Sequence, residues 1–171
     1  MVQADLIIPP IIVGLLIIMV FRVNAFIMET SVDNRLNNDV QTFAEVAATV
    51  IQEELKNVSG NVNVDNNQEV LTFTNMNDIT VSIRRDGRNI IITSHDAIED
   101  EENEGEFLDD VVTIPANISN LQFVYEISNP VFVRVRVETE SQPEQHVRFR
   151  NEEQTVRAFA ERRIFMRNVA L

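Results

Sequence analysis

Acids dominate the residues that could do chemistry. The 171-residue chain holds 27 Asp and Glu, two histidines (His95 and His146) and no cysteine. Without cysteine there are no disulfides, no thiolate nucleophile and no Cys-type zinc site. Two histidines do not make a multi-histidine metal centre, and none of the four glycines falls in a phosphate-loop pattern. No nucleophile, base and orienting acid come together, so the expectation is a protein that is no enzyme and carries no cofactor. The densest acidic run, Asp96 to Asp110, contains nine carboxylates. Within it Asp100, Glu102, Glu104 and Gly105 imitate the opening of an EF-hand calcium loop, but the closing bidentate Glu would fall at Val111. The run reads first as a solvated loop and second as an adventitious or structural cation site. Asn57-Val58-Ser59 and Asn117-Ile118-Ser119 are candidate glycan acceptors. His146, beside Glu144 and Gln145, reads as an ordinary loop residue.

The charge balance narrows the partners. With 14 basic side chains the formal net charge is −13. A phosphate backbone repels such a chain, so no nucleic-acid partner is expected. The basic residues are all Arg except Lys56. That bias fits either a protein working in concentrated salt or a GC-rich genome.

Positioning elements follow from the hydrophobic pattern. Leu6 to Phe21 runs without a charge, and after Arg22 the apolar character resumes through Met28. The stretch reaches bilayer-spanning length if Arg22 snorkels or is paired. A cleaved secretory signal is a poor reading, because the basic n-region and a small-residue cleavage site are missing. Beyond Met28, Val32, Leu36, Val40, Phe43, Ala47, Val50, Ile51 and Leu55 recur at spacings of three and four, the stripe of an amphipathic helix. A polar face lies between them, and Asn57 with Ser59-Gly60 supplies a stop. The pattern predicts one helix from about Pro9 or Pro10 to about Asn57, with residues 1–8 extended or kinked before the prolines. Its first half is apolar all round and its second half one-sided.

After Gly60 the period changes to two. Val70 to Thr74, Ile79 to Ile83, Asn89 to Thr93, Leu121 to Ile127 and Val131 to Glu138 read as strands. Asp86-Gly87 predicts a tight hairpin with both central residues at positive φ. In the run Val131 to Glu138, valines face one side and Phe132, Arg134, Arg136 and Glu138 the other, as in a half-buried antiparallel strand. Thr155 to Leu171 fits strand better than helix. The fold class expected is α+β: a long N-terminal helix over residues 1–57, packed on an antiparallel β-rich domain over residues 58–171.

This architecture resembles the type IV pilin superfamily of pilins, minor pilins and type II secretion pseudopilins. Its specific part is the first thirty or so residues, where Asp5 stands fifth and an apolar run follows. Pro9-Pro10 stands where that family continues an unbroken helix. The resemblance implies that Met1 is the methylated end left by a prepilin peptidase acting on a basic leader, and such a leader exports the β-domain. It further implies an extracellular filament, membrane-embedded before assembly and built by inner-membrane machinery from copies of this chain. Met1, Asp5 and Arg22 would serve assembly, with Asp5 meeting a neighbour's terminal amine and Arg22 an acid such as Glu29 or Asp33 of another copy. Leu6, Ile7, Ile8, Ile11, Ile12, Leu15, Leu16, Ile18, Phe21 and Phe26 would build the helical core. The alternative is a membrane-anchored single-pass protein with an exported ligand- or partner-binding β-domain.

Overall fold

The computed structural model describes residues 2–99, 107–127, 130–149 and 152–166. It shows one long helix and antiparallel sheets, an α+β fold. Helix α1 covers Val2–Lys56, with Pro9 and Pro10 inside it. The expected entry at the prolines, with an extended segment before them, is thereby corrected. Proline's φ of about −65° is itself helical, so the backbone here stays helical although each ring removes a hydrogen bond and crowds the carbonyl four residues earlier. At the other end α1 stops at Lys56, and the Asn57 amide donates to the Glu54 carbonyl at 3.1 Å. Gly60 is no helix cap: it lies in the first strand, where the left-handed residue is Asn61 (φ 49°). The chain divides into two compact units, Met1–Leu36 and Asn37–Leu171. The last turns of α1 therefore belong to the β-rich unit.

Strands β1 (Val58–Val64), β2 (Val70–Asn75), β3 (Thr80–Asp86), β4 (Asn89–Glu99) and β5 (Phe107–Pro115) form a five-stranded sheet in chain order. Strands β6 (Ile118–Glu126), β7 (Phe132–Glu140) and β10 (Arg157–Phe165) form a second sheet in the order β10-β7-β6. A ribbon of β8 (Val147–Phe149) and β9 (Glu152–Gln154) separates β7 from β10 in sequence. Every pairing is antiparallel. Within the C-terminal run Arg157–Phe165 is a strand, as its alternation indicated, and residues 167–171 lie outside the described residues. The acidic run is less of a loop than its composition suggested, since Asp96 to Glu99 belong to β4 and Phe107 to Asp110 to β5. The β3–β4 turn also differs from expectation. Asp86 pairs with Asn89, so Gly87 and Arg88 are the central residues and only Gly87 has positive φ, at 58°. Glycine first with positive φ at that position alone is the II′ pattern rather than I′.

Helix and sheets close one core. The helix contributes Val40, Ala44, Ala47, Ala48, Ile51 and Leu55, all buried. Three alanines on that face bring the helix backbone close to the sheet. Alternate residues of the strands meet it: Leu71 and Phe73, Val81 and Ile83, Ile90 and Ile92, Leu121 and Phe123, and Val133, Val135 and Val137. Phe43, expected in the stripe, is 40% exposed. One residue is about 100° of helical turn, and the buried arc is centred on the Ala44–Ala47–Ala48 side, which leaves Phe43 at the margin. Two polar bridges tie helix to sheet. The buried Thr139 hydroxyl donates to the Val40 carbonyl at 2.9 Å, and Arg162, facing inward on β10, pairs with Glu45. The two sheets are joined by the Phe123 amide donating to the Gln68 carbonyl at 2.8 Å and the Ile118 amide to the Arg88 carbonyl at 2.9 Å.

Two carboxylates hold corners of this unit. Asp65 Oδ1 accepts the amides of Glu69 at 2.7 Å and Val70 at 2.9 Å, closing the β1–β2 turn around Gln68 at φ 63°. Those amides, Val70's above all, hold the Asp65 carboxyl below its ordinary pKa. Glu140 accepts the Thr155 hydroxyl at 2.6 Å and the Arg157 guanidinium at 3.1 Å, and the hydroxyl first, then the arginine, lower its pKa. A folded pKa below the unfolded one stabilises above the ordinary carboxylate range, about pH 4, and that stabilisation fades as pH falls through the lowered folded value. Thermal melts taken from neutral pH downward should lose Tm below about pH 4. The Asp65→Asn, Glu140→Gln double variant should show a shallower dependence. An unchanged acid limb in that variant would place the acid sensitivity elsewhere.

Candidate assembly surface

Between Ile8 and Met28, fifteen large apolar side chains are each 47–71% exposed. Ile8, Ile11, Ile12, Leu15, Leu16, Ile18, Phe21 and Phe26, the expected helical core, are all among them. Leu15, Leu16, Ile17 and Ile18 point in four successive directions, about 100° apart, and each is at least half open. No side of the helix is therefore covered. Burying one such side chain is worth about 1.5–3 kcal/mol. A continuous apolar surface of this extent lies well beyond what a monomer in water exposes. The segment is long and apolar enough to cross a bilayer, and the same property suits it to a bundle of identical helices.

Arg22 interrupts this surface. It is exposed and makes no hydrogen bond or ion pair among the described residues. Glu29 and Asp33, expected as its counterparts in another copy, lie on the same helix, and Asp33 already has an interaction within its own chain. Asp5, Leu6 and Ile7 are helical, but their side chains fall outside the described residues, as does all of Met1. Asp100, Glu102 and Glu104 likewise lie outside them. Among the described residues no three His, Asp or Glu side chains gather as metal ligands.

No family model, curated protein or solved structure matches this chain.

The β-rich unit adds features that the sequence reading did not reach. Phe43 and Val46 are exposed on α1, with Val50 half-buried one turn further along the same stripe. The sequence pattern places Phe43 and Val50 in the buried stripe beside them and does not single out Val46. The outer face of β7 and β10 carries an arginine-aromatic surface. Phe132 meets Phe165 edge-on at 6.0 Å, Arg136 lies 5.1 Å from the Phe159 ring centre, and Arg163 lies 5.9 Å from that of Phe132. A groove of about 670 Å³ opens between the end of α1 and β10, lined by Gln52, Leu55, Lys56, Met76, Arg163 and Phe165. His95 Nδ1 and Asp109 Oδ1 lie 2.7 Å apart across paired positions of β4 and β5, both exposed. That is a solvent-exposed contact between the two side chains. Of the glycan candidates, Asn57 is exposed at the end of α1, and its carbonyl accepts the Met76 amide at 2.8 Å. Asn117 is half-buried at φ 50° in the β5–β6 turn, and its carbonyl accepts the Glu140 amide at 3.0 Å.

Proposed function

We propose that this chain is a structural subunit of an extracellular, type IV pilus-like helical filament and that it is not an enzyme. One observation carries the reading: residues 8–28 are apolar and open on every side, while residues 40–55 of the same helix close the core of a β-rich unit. A simple anchor needs no such continuity into a folded core. In a bundle the apolar segments bury one another, and a heterologous contact that does not close on itself propagates as a filament. The partners are copies of this chain, membrane lipid before assembly, and the membrane machinery and prepilin peptidase that such filaments require. Asp5 and Arg22 become charges in an apolar setting and must be compensated there.

The competing reading is a single-pass anchored protein, and the groove beside Lys56 and Arg163 is what favours it. One comparison separates the two. A fragment starting at Met28 is expected to be folded and monomeric in sedimentation and circular dichroism. The full chain, once out of detergent, is expected to sediment as filaments of uniform diameter in electron micrographs. A full chain that stays monomeric in lipid vesicles would favour the anchor.

A further inference from the structure

Pro9 and Pro10 sit inside α1, and each lacks the N–H that closes a helical turn. The acceptors left without their helical donors are four residues earlier, the backbone carbonyls of Asp5 and Leu6. Two adjacent open carbonyls in an apolar environment are costly unless a donor from outside the helix reaches them. From Ile8 to Met28 the side chains able to donate are those of Arg22 and Asn24, and Arg22 is the cation. It cannot serve its own chain, because it stands roughly 25 Å further along the helix.

Resting on the filament reading, we propose that Arg22 of one copy donates to the carbonyls of Asp5 and Leu6 in a second copy displaced by about 25 Å along the helix axis. The guanidinium presents several N–H groups in one plane, enough to engage both carbonyls at once. The prolines thus become a register mark: they create acceptors that a neighbour in a single axial position can fill. A copy shifted by one turn would leave two carbonyls and one cation unpaired in the apolar core.

The experiment uses the full chain and reads the sedimentable polymer. Arg22→Ala should reduce polymer yield roughly tenfold or more, the open carbonyls being left without a donor. Adding Pro9→Ala and Pro10→Ala to that variant restores the helical donors and should recover a large part of the loss. The chain has no cysteine, so Ile7→Cys with Val23→Cys reports register directly. Oxidation should give a ladder of linked copies, whereas each single variant stops at dimers. An Arg22→Ala chain that polymerises like the native one overturns the inference and leaves the filament reading intact. So does the absence of rescue by the two proline substitutions, or of a ladder from polymerised double-cysteine chains. A native chain that never polymerises overturns both.

Discussion

Ile12→Asp is expected to abolish polymer while leaving the melting of the β-rich unit unchanged. Ile12 is 51% exposed in the isolated chain, so no contact inside the molecule is lost by the change. The cost arises only when copies meet. An ionised carboxylate with no partner in a helix bundle forfeits several kcal/mol of solvation, and the penalty recurs at every subunit along the filament. Ile12→Leu, equal in volume and apolarity, should assemble normally and so exclude a purely steric cause. The same pair separates the two functional readings. At a bilayer centre one acid costs about 2.5–3.5 kcal/mol on insertion scales, and the remaining apolar residues still hold an anchor in place. Loss of sedimentable polymer with retained membrane association is therefore the outcome the filament reading requires. Polymer formed by Ile12→Asp at the native yield would remove residues 8–28 from the subunit contact.

Much of the fold was legible because two periods are written cleanly. Val131, Val133, Val135 and Val137 alternate with Phe132, Arg134, Arg136 and Glu138, and the buried and open faces of β7 follow that alternation residue for residue. What escaped were features decided by competing terms. Pro9-Pro10 looked like a helix boundary because the local steric preference is strong, yet the backbone stays helical through both rings and leaves the cost in two open carbonyls. Phe43 looked like core because it stands three residues after Val40 and four before Ala47. Small Ala44, Ala47 and Ala48 decide which face approaches the sheet, and Phe43 is left outside. The acidic run concealed the ends of β4 and β5, since strand pairing there rests on backbone bonds and on the Ser94–Asp110 and His95–Asp109 positions rather than on apolar alternation. The exposed apolar surface was legible in the other direction. An apolar run with no polar face cannot be satisfied inside a chain of this size, whatever the rest of the fold does. The groove beside Lys56 and the Arg136–Phe159 stack carry no local sequence signal, because they join residues far apart in the chain.

Phe123→Ala is the substitution expected to cost the β-rich unit most. Phe123 is fully buried on β6, where the second sheet packs against the first, and its own amide donates to Gln68 across that junction. Truncating a buried phenylalanine typically costs about 3–5 kcal/mol, the lost transfer energy plus the cavity left behind. Whole domains are stable by only about 5–15 kcal/mol, so the variant should unfold at a much lower denaturant midpoint or fail to fold at ordinary temperature. The control is Phe159→Ala on the outer face of β10. Phe159 is 59% exposed, and the Arg136 guanidinium lies 5.1 Å from its ring centre. An exposed cation–π pair is worth about 0.5–1 kcal/mol, which sets the scale of that loss. Urea titrations of the fragment beginning at Met28 should therefore separate the two variants by several kcal/mol. Equal midpoints would mean that Phe123 does not sit in the core between the sheets. The full chain offers the reciprocal measurement. Phe123→Ala should release polymer only through unfolding of the β-rich unit, so its polymer yield should track the fraction folded as temperature is raised. Ile12→Asp should instead suppress polymer at every temperature at which that unit is native.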